Sequence, residues 1–377
     1  MEKRRCWVEV DGRALRHNFR ILRGLIPHAT QLMAVVKANA YGHGLVAIAR
    51  EIAVIGADWL GVANVAEGAV LREAGITLPI LLLSATLPGE MEEAVRHGLT
   101  LTLSSFNEAK LLDRVARALG EPAQVHFKVD TGMGRLGCWH TQAARELARV
   151  RRLPGLAVRG LCTHFASADD DARLTRAQWK AISPLFTANP DLLCHAANSP
   201  AVTRRYGFHA GLVRAGLALY GIAPNRADRS LGLEPVLTWK SRVTFLRTVE
   251  AGRTVSYGAT YRLPTRQRHA VVAMGYGDGY FRLHSNTGAM LVRGKRCPIR
   301  GRVTMDQIIL DVSRVPGCRV GDEVVALGRQ GRQEITAWEL AAQARTIPWE
   351  ILTNVGARVP RTCKGFCSAR QKTARGR

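Results

Sequence analysis

Lysine is scarce in this chain: only nine of its 54 basic residues are lysines, the remainder being arginines scattered along the whole length. Acid is short as well, with 30 Asp and Glu leaving a net charge of +24. Anionic partners therefore have to be considered. Yet the motifs that turn charge into recognition are missing: there is no zinc-finger spacing, no aromatic RNA-binding signature and no basic helix with heptads. Specific nucleic-acid binding is not expected, only salt-sensitive adhesion to phosphate polymers. No run of 18 or more apolar residues exists, which excludes a membrane-spanning helix. Met1 to Val10 is basic but lacks the apolar stretch of a secretory signal, so a cytoplasmic location is expected. Eight cysteines are dispersed, and Cys162 and Cys194 sit in apolar surroundings that suit buried thiols. Cys363 and Cys367 have no second cysteine pair nearby, and no histidine follows His284, so no metal site is expected.

What the chain does have is a soluble, core-forming composition, with 47% hydrophobic and 22% charged residues over 377 positions. From Gln31 to Gly221 one phrase repeats: a short apolar run, a polar or glycine turn, then apolar residues at helical spacing. The runs are 32–36, 59–62, 80–83, 99–103, 125–129, 158–162, 192–196 and 212–215, and eight parallel strands predict a TIM-type (β/α)8 barrel. Helices are predicted at 45–55, 107–119 and 141–151, with Ser105 and Thr141 as N-caps. Beyond Gly221, β-branched and aromatic segments punctuated by glycine predict a mostly β domain. The division expected is 1–230 for the barrel, 231–360 for the β domain and 361–377 for a solvated, disordered basic tail.

Lys37 directly follows the first apolar run, at a strand's C-terminal end. In a barrel that is the catalytic rim, and an amine desolvated there can lose its proton and attack a carbonyl. For an isolated lysine, a side chain snorkelling out of a strand end is the ordinary reading. Other strand ends weaken it, because they deliver Lys128 to Arg135, His164, His195 to Ser199, and Arg214 to Leu217 to the same rim. Ser199, Gly216 and Leu217 fit the anion cup that barrels build after strands seven and eight. Gly132-x-Gly134-x-x-Gly137 matches the dinucleotide fingerprint, but no acid stands about 20 residues beyond it to take a ribose hydroxyl, so the match is read as chance.

These segments, with Val255-Ser256-Tyr257-Gly258, Gly275-Tyr276-Gly277-Asp278-Gly279-Tyr280 and Met305-Asp306, closely resemble the alanine racemases over nearly the whole chain. The resemblance implies pyridoxal 5'-phosphate, with Lys37 binding its aldehyde and Tyr41, Ser199, Gly216 and Leu217 holding its phosphate. It implies that Arg214 faces the pyridine nitrogen. Lys37 and Tyr257 become the two bases, one for each face of the α-carbon, with His164 and Arg214 as the expected cationic partners that favour the Tyr257 phenolate. Arg135 would bind the substrate carboxylate or the cofactor's phenolic oxygen, with Lys128 helping to position it; the plainer role for Lys128 is a strand residue paired with Asp130. Tyr257, Tyr276 and Met305 would enter the site of the other subunit of a homodimer, the last two narrowing the substrate pocket. For Met305, packing within the β domain is the competing reading. The implied role is interconversion of L- and D-alanine for peptidoglycan.

One departure stands out: some racemases carry a tyrosine before the Arg-Val-Pro that here is Arg358-Val359-Pro360, whereas this chain has Ala357. A looser pocket that admits serine is expected. The competing readings are a broad-specificity racemase on the same scaffold and a non-enzymatic pyridoxal-phosphate carrier.

Overall fold

The computed structural model describes residues 4–208, 210–225 and 230–367. Among the described residues two compact units emerge: Ala14–Ala40 with Gly44–Glu234, and 4–13 together with Tyr41–His43 and 235–367.

The first is a barrel of eight parallel strands, Gln31–Val35, Trp59–Val62, Ile80–Leu82, Leu101–Leu103, Ala123–Asp130, Leu156–Cys162, Leu193–Asn198 and Leu212–Ala215. The eighth pairs with the first, and Leu212 lies beside Gln31 in register. Between third and fourth strands the ring is closed only by a bridge, with Leu82 N–H donating to Thr100 O and Thr100 N–H to Ile80 O, both at 2.9 Å. Met33, Leu81 and Leu212 pack at its centre against Trp59, Leu83 and Leu193. Helix Phe106–Leu119 shows why the chain turns helical between strands. Ser105 and Glu108 close a capping box, Gly120 ends the helix at φ 73°, and Ala109, Leu112 and Ala116 form its buried face. The helix expected from Thr141 instead spans Ala143–Val150, and Gln142 sits at its N-cap without a side-chain cap bond.

The second unit is a β sheet around the 13-residue strand Leu237–Val249. Its neighbours are Glu323–Gln330 and Cys6–Asp11, and its far half also takes Gln267–Val272, which pairs on to Ile308–Asp311. Two expectations are corrected here. The N-terminal segment does not join the barrel, because Trp7, Val8 and Val10 are buried in this sheet and Cys6–Asp11 pairs between Leu237–Val249 and Arg361–Lys364. Nor does a disordered tail begin at 361, since Arg361–Lys364 is a strand parallel to Cys6–Asp11. The Arg361 guanidinium donates to the carbonyls of Gly42, Val355, Gly356 and Val359, which explains why Tyr41–His43 belongs to this unit. The rest of the basic tail, 368–377, and the interdomain stretch 226–229 lie outside the described residues. Among the described residues no helix is long and apolar enough to cross a membrane.

Candidate active site

Lys37 leaves the first barrel strand half-buried, and the chain then makes a left-handed turn, with φ of 51–53° at Ala38, Asn39, Ala40 and Tyr41. Left-handed backbone costs roughly 1–2 kcal/mol per non-glycine residue, so neighbouring bonds must hold it. Within the barrel unit Ala40 N–H donates to Val36 O at 2.7 Å, Gly44 N–H to Asn39 O at 2.9 Å, and Leu45 N–H to the Asn39 side chain at 2.8 Å. The Lys37 ammonium is pushed below the ordinary lysine range by burial, and Arg135 and Arg214 add repulsion against a smaller pull from Glu67. A cation crowded by cations releases its proton more readily.

Arg214 is buried on the eighth strand, and four acceptors fix its guanidinium. One nitrogen contacts His195 Nδ1 at 2.5 Å, and the other reaches Thr163 O at 2.9 Å, Ala196 O at 2.8 Å and His164 Nδ1 at 3.1 Å. Because an arginine only donates, both histidines accept through Nδ1 and keep their proton on Nε2. His195 Nε2–H then donates to His126 Nδ1 at 2.8 Å, completing a buried Arg214–His195–His126 chain whose direction the arginine sets. Burial and the adjacent Arg214 charge press His164 and His195 well below the usual histidine range, and hold His126 at about 3. His164 is thus a neutral donor, not the cation expected, which leaves Arg214 as the cation of that pair. Gln178 fixes it from behind, donating to His164 O at 3.1 Å and to Thr131 Oγ1 at 3.2 Å.

Lys128 is buried on the fifth strand beside Cys162, and burial lowers its proton affinity. Asp130, the partner of the plainer reading, spends its carboxylate on the backbone N–H of Gly132 and Met133 at 2.8 and 2.9 Å. These bonds shape the loop that carries exposed Arg135, which lies close enough to repel the charge on Lys37, Lys128 and His164. Opposite, Ser199 Oγ accepts from Gly216 N–H at 2.8 Å, while Leu217 opens a short helix that no side chain caps. Gly216 N–H is therefore engaged, and the Ser199 hydroxyl proton remains as a donor of the cup.

Each remaining site residue belongs to the β unit. Tyr41 is buried, and burial pushes its phenol up to about 12, keeping it a protonated donor. Tyr257, 71% exposed, sits on a turn where Ser256 Oγ donates to Arg302 O at 2.6 Å. Tyr276 and Met305 are also exposed, and their backbones meet where Tyr276 N–H donates to Thr304 O and Gly277 N–H to Met305 O. Met305 therefore does not pack into a core within its own unit.

The family model described as "Alanine racemase, N-terminal domain" matches residues 10–224, and "Alanine racemase, C-terminal domain" matches 236–363. The chain belongs to the alanine racemase family. The racemase of Methylacidiphilum infernorum is 44% identical over 364 residues, covering 97% of this chain and 94% of the relative. That of Halothermothrix orenii is 40% identical over 368 residues, covering 96% and 97%. Among solved structures, alanine racemase from Clostridium difficile superimposes with a TM-score of 0.91 at 32% identity, covering 97% of both chains. The Bacillus anthracis enzyme with bound L-Ala-P gives 0.90 at 35%, covering 97% of this chain and 96% of its own. The carrier and broad-specificity readings are not favoured by these likenesses.

Within the alanine racemase fold, the structure brings Lys37, Arg135, His164, Ser199, Arg214, Gly216 and Leu217 into the barrel unit and Tyr41, Tyr257, Tyr276 and Met305 into the β unit. Sequence reasoning placed His195 on the rim without a role and assigned no part to His126 and Gln178. An alternating apolar strand with an embedded His, as in Gln124-Val125-His126-Phe127, is a signal for a buried partner. Gly160 is its counterpart, since a Cβ there would lie 2.6 Å from the His126 ring.

Proposed function

We propose that this protein racemises alanine with pyridoxal 5'-phosphate bound at Lys37. The observation that carries the reading is Lys37 at the C-terminal end of the first barrel strand, beside an Arg214 guanidinium fixed on the neighbouring eighth strand by His195, Thr163 and Ala196. The donor set fits the cofactor: a primary amine held toward its neutral form, a buried arginine, and the Ser199 hydroxyl beside the Gly216–Leu217 backbone. When bound, pyridoxal phosphate supplies an electron-accepting ring that acidifies the α-carbon of an attached amino acid.

The chain's own residues do the rest. Tyr41, the Ser199 hydroxyl and the Leu217 backbone N–H would hold the phosphate, with Gly216, whose N–H is bonded to Ser199 Oγ, positioning that hydroxyl. Arg214 can give a hydrogen bond to the ring nitrogen but not a proton, which limits electron uptake and so favours return of the proton over side reactions. Lys37, its amine freed once the substrate amine takes its place, would take the α-proton of D-alanine at its Nζ. Tyr257 of the partner subunit takes that of L-alanine at its phenolic oxygen, because a single base would return its proton to the same face. His164 and Arg214 would present Nε2–H and a fixed positive charge to the phenolic oxygen. Arg135 would bind an anionic oxygen, Lys128 would support it, and Tyr276 with Met305 would narrow the pocket around a small side chain. The exposure of Tyr257, Tyr276 and Met305 supports a homodimer that covers them. The role proposed with that activity is a cytoplasmic supply of D-alanine for peptidoglycan, with a catabolic role equally compatible with the residues.

Purified protein supplied with pyridoxal phosphate and pure L-alanine is expected to approach an equal mixture of enantiomers by chiral chromatography. Absence of D-alanine while Lys37 still binds the cofactor would overturn the reading.

A further inference from the structure

Three turns of the β unit are locked by one arginine. Arg358 Nε donates to Asp278 Oδ1 at 2.8 Å, and its Nη2 donates to Asp306 Oδ1 at 2.7 Å and reaches Met305 O at 3.4 Å. Asp278 is itself buried, and its other oxygen accepts from Gly275 N–H at 2.9 Å. The carbonyl of Asp278 accepts from Gly356 N–H at 2.8 Å, and Asn354 Nδ2 donates to Gly279 O at 2.7 Å. The segments 275–279, 304–306 and 354–358 are therefore one braced body, and its glycines show how tight it is. A Cβ on Gly275 would run into the Thr304 and Met305 carbonyls, and one on Gly277 would lie 2.7 Å from Arg358 Nη2. Two of these turns present Tyr276 and Met305 to solvent, and the third presents Ala357.

From this geometry we infer that Arg358 is a positioning residue for substrate selection, fixing the spacing between Tyr276 and Met305 through its bridge from Asp278 to Asp306. The inference rests on the proposal that Tyr276 and Met305 border the substrate. Arg358 bonds to Asp278, Asp306 and Met305, so its removal acts through the turns that carry them. A planar fork is needed because two carboxylates in different turns must be held at once, and a lysine ammonium lacks that reach and direction. Neither Asp306 nor Arg358 is buried, with side-chain exposures of 58% and 48%, so their bond contributes little to stability, and the bond to buried Asp278 anchors the bridge.

The test uses the cofactor-loaded full chain as wild type, Arg358→Gln, Arg358→Lys and Asp306→Asn. Initial rates with L-alanine and L-serine, cofactor affinity by fluorescence titration, melting temperature and amide hydrogen exchange are measured together. Arg358→Gln is expected to raise KM for L-alanine about tenfold and shrink the alanine-over-serine ratio of kcat/KM, with kcat held within about twofold, as for a misplacement remote from the chemistry. Cofactor affinity stays at the wild-type value, melting temperature falls modestly because buried Asp278 keeps its bond from Gly275 N–H but loses its guanidinium, and exchange quickens in both 275–279 and 304–306. Arg358→Lys recovers part of the KM, and Asp306→Asn, which removes only the exposed arm, shifts KM in the same direction by less. Unchanged KM, ratio and exchange in Arg358→Gln and Asp306→Asn would overturn the inference. So would a parallel fall of kcat, cofactor affinity and melting temperature, which marks a merely structural role. If the wild type turns over neither amino acid, the racemase reading fails, and hydrogen exchange still decides whether Arg358 braces the two turns.

Discussion

Lys37 and Arg135 define a charge problem that the pH dependence of cofactor capture can read. Burial and the neighbouring guanidinium groups destabilise the Lys37 cation, so the neutral amine appears at lower pH than for free lysine, which titrates near 10.4. Borohydride trapping of pyridoxal phosphate on the apoprotein is expected to give a midpoint below that value. Arg135→Gln removes one repelling charge, so the cation regains stability and the midpoint moves up. A downward shift in that variant would sink the assignment. Ala357 poses a question of size instead of charge: it is exposed, flanked by Gly356 and Arg358, both fastened to Asp278, so a larger side chain has a rigid base. Ala357→Tyr is expected to raise the alanine-over-serine ratio of kcat/KM by roughly tenfold, the usual scale for added steric discrimination in a pocket. A fall in that ratio would remove Ala357 from any part in selection.

The loop from Asp130 to Gly137 shows what a segment's letters reveal and what they hide. Its three glycines match a nucleotide-binding pattern, but φ values of 127°, 68° and 121° at Gly132, Gly134 and Gly137 make it a folded loop, and a short strand, Cys138–Trp139, follows it instead of a helix. At Gly137 a Cβ would stand 2.6 Å from Asp130 N, in a backbone conformation that L side chains rarely adopt. Gly137→Ala is therefore expected to distort the loop and Arg135 with it, cutting kcat/KM about a hundredfold. Wild-type kinetics in a folded Gly137→Ala protein would show that the loop tolerates the side chain. The barrel strands were legible because fully buried parallel strands read as continuous apolar runs, and the Ser105 cap because its side chain bonds three residues ahead. The left-handed turn after Lys37 was not legible, because Ala38-Asn39-Ala40-Tyr41 carries no glycine and is held by Asn39, Val36 and Gly44. Nor was the histidine chain behind Arg214, whose members lie on strands far apart in sequence and meet only when the barrel closes. The N-terminal strand was misassigned for a similar reason: its partners begin at residues 237 and 361.

At the scale of the whole molecule, the net charge of +24 is carried mostly by dispersed arginines, many of them paired locally, as Arg151 with Asp191 and Arg296 with Glu339. Such pairs solvate a surface and are worth little stability. The assembly question is decided instead by the two bases, since Lys37 lies in the barrel unit and Tyr257 is exposed on the β unit. If the base for L-alanine comes from the partner subunit, each site needs one chain's Lys37 and the other chain's Tyr257. Lys37→Ala and Tyr257→Phe homodimers then lack, respectively, every lysine base and every tyrosine base. The first is expected to lose both directions and the second chiefly proton abstraction from L-alanine. Co-expressed in equal amounts, the two variants form mixed dimers in about half of the assemblies, and each mixed dimer joins one intact pair of bases and one doubly defective pair. Recovered activity should therefore approach about a quarter of wild type per mass of protein, from partners that are each crippled alone. If both bases came from one chain, every site in every dimer would carry one of the two lesions, and co-expression would restore nothing.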